Sequence, residues 1–179
     1  MREKEIIDFV HEIGKLKQIK RTYCIIEGIK CPESVADHSF RTSVMVLLFA
    51  KNFNLDEDKC VKMALIHELA EIKVGDIIAL DKKSYDKKIK LEKMAIKNIL
   101  KHFKKDQIYS LWKEYTDRKT PESKFVYELN VLEFLFQVYE YEKSDNIKLE
   151  EIWNNKIPKI KNPFLNKIAK LLFEERKII

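Results

Sequence analysis

The chain has 179 residues, 45% of them hydrophobic and 36% charged, and only three Gly and four Pro. This length and composition exclude a disordered tail and fit one domain with a real core, rich in long helices because breakers are few. No apolar run reaches the roughly 20 residues of a membrane span. The net charge of +6 and pI near 9.0 favour anionic partners: nucleotides, nucleic acids or phosphorylated metabolites.

The start, MREKEIIDFVHEIG, is amphipathic and carries acids, unlike a secretion signal, so the expected location is the cytoplasm. Residues 3–17 are expected to form a first helix with Ile6, Ile7, Val10 and Ile13 facing inward. The next stretch, Lys20 to Gly28, is β-branched and not helical in period. It is expected to be an extended loop with a brief strand-like part. Arg21 lies in it, either as a surface arginine or as a fork onto phosphate oxygens. Cys24, Cys31 and Cys60 are odd in number and lack metal-type spacing, which points to reduced thiols.

Ser34 with Asp37 three residues on fits a capping box opening a helix to about Phe53. Val35, Val44, Leu47 and Leu48 give that helix an apolar side, and His38 sits in its first turns. A neutral imidazole there can donate one N–H to a carboxylate or carbonyl and present the other nitrogen. Asn54-Leu55-Asp56 is a polar break able to cap the next helix.

The stretch Asp58 to Asp76, DKCVKMALIHELAEIKVGD, then reads as one buried helix broken at Gly75. Val61, Ala64, Leu65 and Leu69 form its stripe. His67 and Glu71, four apart, share a face, and Glu68 is turned about 100° from His67. An imidazole and three carboxylates, Glu68, Glu71 and Asp76, within ten residues are costly to bury unless a cation partners them. The plainer reading is the solvated side of an amphipathic helix.

Residues 77–84 are expected to be a loop. A helix follows from about Tyr85 to Phe103 with Ile89, Met94, Ile96, Ile99 and Leu100 on it, and with His102 in a solvated helix-end role. A shorter one covers roughly 105–117. Thr120-Pro121-Glu122 is a strong start for a helix to about Lys143, with a core stripe of Phe125, Leu129, Leu132 and Phe136. Asn130 and Glu133 lie beside this stripe, three apart. Asn162-Pro163 starts a last helix that is expected to bury Phe164, Leu165, Ile168, Leu171 and Leu172. The sum is an all-α, single-domain orthogonal bundle of six to eight helices.

Three blocks, PESVADHSFR, ALIHELAEIKVGDI and TPESKFVYELNVLEF, together resemble the HD-domain metal-dependent phosphohydrolases. The closer likeness is to the branch of 5′-deoxynucleotidases acting on deoxynucleoside monophosphates, over roughly residues 10–145. The resemblance implies a divalent ion (manganese, cobalt, nickel, zinc or magnesium) held by His38, His67, Glu68 and Asn130. Glu68 and Asn130 stand where the family has aspartates. It further implies that Glu71 and Asp76 orient water and handle protons, and that Arg21 meets the substrate phosphate. Cys24 stands where many relatives have an aromatic residue near the sugar. The implied function is removal of the 5′-phosphate from (deoxy)nucleoside monophosphates, in a protein that forms homodimers.

Replacing one aspartate by a neutral amide leaves about one positive charge uncompensated at such an ion. Two alternatives therefore stand beside the enzyme. One is a catalytically impaired homologue that binds a nucleotide or a protein partner. The other, from charge alone, is a helical nucleic-acid binder, against which the scattered lysines count.

Overall fold

The computed structural model describes residues 2–79, 81–101 and 106–178. The secondary structure is helical, and the one β feature among the described residues is an isolated bridge between Lys20 and Ser34. Among the described residues ten α-helices follow in order: α1 (Glu3–Gly14), α2 (Thr22–Ile26), α3 (Val35–Phe49), α4 (Glu57–Ile66), α5 (Glu71–Val74), α6 (Lys82–Leu100), α7 (Asp106–Asp117), α8 (Pro121–Asp145), α9 (Glu150–Lys156) and α10 (Pro163–Glu175). Seven of these run to ten residues or more, which matches an all-α bundle of six to eight helices.

Local start signals act where the sequence puts them. Ser34 accepts the Asp37 N–H while the Asp37 carboxylate accepts the Ser34 N–H, the reciprocal capping box opening α3. Asp56 caps α4, Thr120 caps α8 ahead of Pro121, and Asn162 caps α10 ahead of Pro163. Each cap answers N–H groups that the first turn leaves without an intrahelical partner.

The bundle is built on α8, which packs against α3, α4, α7, α9 and α10. Its buried residues, among them Phe125, Val126, Leu129, Val131, Leu132, Phe134, Leu135 and Val138, point in all directions. A helix apolar all round is one enclosed by neighbours. A second cluster joins Leu16, Val35, Leu69, Ile72, Ile96, Ile99 and Trp112, tying α5, α6 and α7 to the start of α3.

Five expectations are corrected. Residues 22–26 form a helical turn because the carboxylate of Asp76, far along the chain, accepts the Thr22 N–H at 2.8 Å and caps α2. The stretch 58–76 is not one helix. α4 stops at Ile66, and tighter bonds run from the N–H of Leu69 to the Ile66 carbonyl and from the N–H of Glu71 to the Glu68 carbonyl. α6 begins at Lys82, within the expected loop, because Asp81 and Ser84 form a capping box.

The fourth correction concerns faces. Ile6, Ile7, Val10 and Ile13 of α1 are exposed, as are Val44, Leu47 and Leu48 of α3, and Leu65 of α4. The side of α3 that packs inward carries Val35, His38, Thr42, Ser43 and Val46. Periodicity reveals that a helix has two faces, but tertiary packing selects the one that is covered. The fifth is of the same kind: Met94, Phe164 and Leu171 are exposed, while α10 buries Leu165, Ala169 and Leu172. The expectations for His102 and for a helix end at Phe103 lie outside the described residues.

These burials set a contrast in stability. Leu129→Ala, at the enclosed centre of α8, is expected to lower unfolding free energy by about 3 kcal/mol. Met94→Ser on the open side of α6 is expected to change it by less than about 0.5 kcal/mol. Urea titration followed by circular dichroism reads both, and equal losses would contradict this packing.

Candidate metal centre and its cavity

Two buried imidazoles meet beside α8. His38 comes from the first turns of α3 and His67 from the residue that ends α4; both are buried, with ring centroids 5.5 Å apart. Each ring has one nitrogen engaged. His67 Nδ1 donates to the carbonyl of Ala64 at 2.6 Å. His38 Nδ1 is bonded to the buried carboxylate of Glu133, whose other oxygen accepts from Arg41 Nε at 2.7 Å. Arg41 in turn holds Glu140 and Gln137.

That pattern leaves Nε2 of both rings, each buried and without a hydrogen-bond partner. A lone buried acceptor costs on the order of 1–3 kcal/mol, so two side by side call for a shared partner. Burial pushes the His67 imidazole down to about 4, which keeps it neutral, the form that ligates metals. Oε1 of Glu68 lies 3.5 Å from His67 Nε2. One donor atom from each of His38, His67 and Glu68 falls within 4.8 Å of the others. Two imidazole nitrogens and a carboxylate oxygen are a donor set that fits a divalent transition-metal ion.

The break at Ile66 puts the His67-Glu68 doublet on a tight turn between α4 and α5, where the Glu68 carboxylate lies beside the imidazole.

Asn130 of α8 lines the same cavity as His67 and Glu68. Its amide nitrogen donates to the hydroxyl of Tyr115 at 2.7 Å, and the Tyr115 ring packs 5.3 Å from that of His67. Glu33 also approaches His38, 3.9 Å from Nδ1. Burial, with the charge of Glu133, raises the Glu33 carboxyl to about 7.

The cavity has a volume of about 290 Å³, in the range of a small-molecule site. Arg21 reaches into it between Glu68, at 3.5 Å, and Asp76, at 3.6 Å. Both contacts are long, so the guanidinium fork keeps capacity for another anion. Glu71 is absent from the lining: it is fully buried, neither of its oxygens accepts a hydrogen bond, and Lys88 Nζ stands 3.7 Å away. Burial, with the charges of Glu68 and Asp76, raises its carboxyl well above the ordinary range. Lys88 also reaches Glu92, at 3.4 Å. Cys24 is buried in the core, and the aromatic ring lining the cavity at this point is the neighbouring Tyr23.

The structure thus brings His38, His67, Glu68, Asn130, Arg21 and Asp76 to one region and leaves Glu71 behind the wall. Sequence reasoning singled out Glu133 beside Asn130 without its bond to His38, and missed Arg41, Tyr115 and Lys88. A signal existed for the first: Arg41 lies three residues after His38 and Glu133 three after Asn130, so each shares a face with a site residue.

The family model for the HD domain matches residues 13–172. A 5′-deoxynucleotidase HDDC2 from Xenopus laevis is 35% identical over 97% of this chain and 88% of its own length. The Homo sapiens protein of the same name is 32% identical over 97% of this chain and 87% of its own. Among solved structures, a Pyrococcus horikoshii protein superposes with a TM-score of 0.78 at 31% identity, covering 97% of this chain and 99% of that one. A predicted metal-dependent phosphohydrolase from Magnetospirillum magnetotacticum gives a TM-score of 0.75 at 28% identity, covering 98% and 92%.

Proposed function

Because the chain belongs to the HD-domain family, we propose that it is a metal-dependent phosphohydrolase that removes the 5′-phosphate of (deoxy)nucleoside monophosphates. The observation that carries this reading is the pair of buried, unpartnered Nε2 atoms of His38 and His67 on a cavity that also holds Glu68 and Arg21. His38, His67 and Glu68 hold the ion, with Asn130 the fourth donor through its amide oxygen. Manganese, cobalt, nickel and zinc suit imidazole better than magnesium does. A bound ion supplies a Lewis acid for the phosphoryl oxygen and lowers the pKa of water.

The chain's own groups do the rest. Arg21 grips phosphate oxygens and offsets charge in a loose transition state. Asp76, facing the cavity, lines up the attacking water. Asp76 also stands where it can pass a proton to the leaving oxygen, while Glu71, buried behind the wall beside Lys88, acts only through its neighbours. Glu133 and Ala64 hold the two imidazoles so that only Nε2 is offered. Residues 1–179 form one HD-like domain. The reading as an impaired homologue that only binds is not favoured, since relatives alike along nearly the whole chain are named as 5′-deoxynucleotidases.

Two finer statements belong to the proposal. The protein works in the cytoplasm, in keeping with three free cysteines. It also pairs with a second copy of itself through the exposed apolar side of α3, where Phe40, Val44, Leu47 and Leu48 stand uncovered. In sedimentation, the wild-type chain is expected to run as a dimer and Leu48→Asp as a monomer; a monomeric wild type ends that part.

Purified without tags or chelators and offered manganese, cobalt or nickel, the protein is expected to hold one ion per chain by elemental analysis. His67→Ala is expected to abolish that uptake, and Glu133→Gln to weaken it by about 10–100-fold. A wild type holding no ion at saturation would end the metal reading. With the ion present, inorganic phosphate is expected from a panel of nucleoside 5′-monophosphates and is lost on chelation. An ion-loaded protein silent on the whole panel would refute the enzyme. Asn130→Asp is expected to tighten cobalt binding in a competition assay, since a carboxylate replaces a neutral amide.

A further inference from the structure

Lys156 is a half-buried cation in the cavity wall that faces an aromatic ring and, among the described residues, forms no ion pair. Lys156, the last residue of α9, lines the cavity with Arg21, His67 and Glu68. Its Nζ lies 5.1 Å from the centre of the Phe134 ring, and the guanidinium carbon of Arg21 lies 5.9 Å from that same centre. Among the described residues Lys156 has no ion pair and its Nζ no hydrogen bond, whereas Arg21 and Lys88 both face carboxylates. Two cations are thus gathered on one ring at the mouth of the ion site, and only one has acids beside it.

We propose that Lys156 is a second phosphate-binding residue that grips the substrate's phosphate together with Arg21. The inference rests on the phosphohydrolase reading and deepens it. Charge supports it. A divalent ion with Glu68, Arg21 and Asp76 leaves one positive charge, while a phosphate monoester near neutral pH carries close to two negative ones. Lys88 stands 3.4 Å from Glu92 and 3.7 Å from Glu71. Lys156 adds a cation to the wall that Lys159 and Arg118 also line, and a compact ammonium on a flexible stem suits one phosphate oxygen while the Arg21 fork takes others. Burial, with the nearby Lys159 and Arg21 cations outweighing the Asp76 carboxylate, pushes the Lys156 ammonium down to about 8.

The bland alternative is a lysine placed at the end of α9 for the helix dipole. That role needs no cavity and would leave phosphate affinity untouched. The test therefore reads phosphate binding directly. Cobalt-loaded wild type, Lys156→Met and Lys156→Arg are titrated with inorganic phosphate by calorimetry, and KM and kcat are measured on a nucleoside 5′-monophosphate. The methionine variant is expected to weaken phosphate binding and raise KM by about tenfold or more, the size of one charge-assisted hydrogen bond. Its cobalt absorption spectrum is expected to match the wild type. Lys156→Arg is expected to restore binding to within about threefold, by keeping the charge.

Unchanged phosphate affinity and KM in Lys156→Met would overturn the proposal while leaving the enzyme reading intact. If the wild type binds phosphate, loses it in Lys156→Met and yet hydrolyses nothing, the anion site stands and the hydrolase reading falls. A wild type that binds no phosphate overturns the proposal.

Discussion

The arrangement turns on how two buried histidines are held. A histidine ring has two nitrogens, and burial makes either one expensive to leave alone. In this protein a main-chain carbonyl takes one nitrogen of His67 and a carboxylate takes one nitrogen of His38. What remains is a pair of buried, unpartnered Nε2 atoms with the Glu68 carboxylate beside that of His67. Glu133 in turn is steadied by Arg41, so the support for His38 reaches from α8 back to α3. That α3–α8 packing fixes the direction of the imidazole, as an outer partner does for a histidine that binds a metal.

Glu68 and Asn130 are placed by different means. Glu68 sits on the tight turn between the end of α4 at Ile66 and α5, with its carboxylate 3.5 Å from His67 Nε2. Asn130 stands on α8, its amide nitrogen occupied by Tyr115, whose ring also packs on His67. Lys156 brings a cation to the wall of the same cavity.

Much of this was legible before any coordinates. The caps at Ser34, Asp56, Thr120 and Asn162 were readable because a cap and the N–H groups it serves lie within four residues of each other. The residue types able to bind a cation, and their order along the chain, were readable too. The faces were not. The apolar stripes of α1 and α3 look like core in sequence, yet Val10 is 60% exposed and Leu48 64%. An amphipathic period says how side chains are sorted around an axis and nothing about which neighbour arrives.

By itself, the sequence determined an all-α chain, most helix starts and a donor set suited to a divalent ion, because each depends on side-chain chemistry and on neighbours a turn away. Tertiary structure alone decided four things: that α2 is a helix, that the central stretch breaks, that His38 leans on Glu133 rather than on adjacent Asp37, and that Lys156 shares a cavity with Arg21. The physical reason is separation along the chain. Asp76 caps Thr22 from 54 residues away, and Glu133 meets His38 from 95. Such partners are chosen by how the helices pack around α8, and no local pattern encodes that choice.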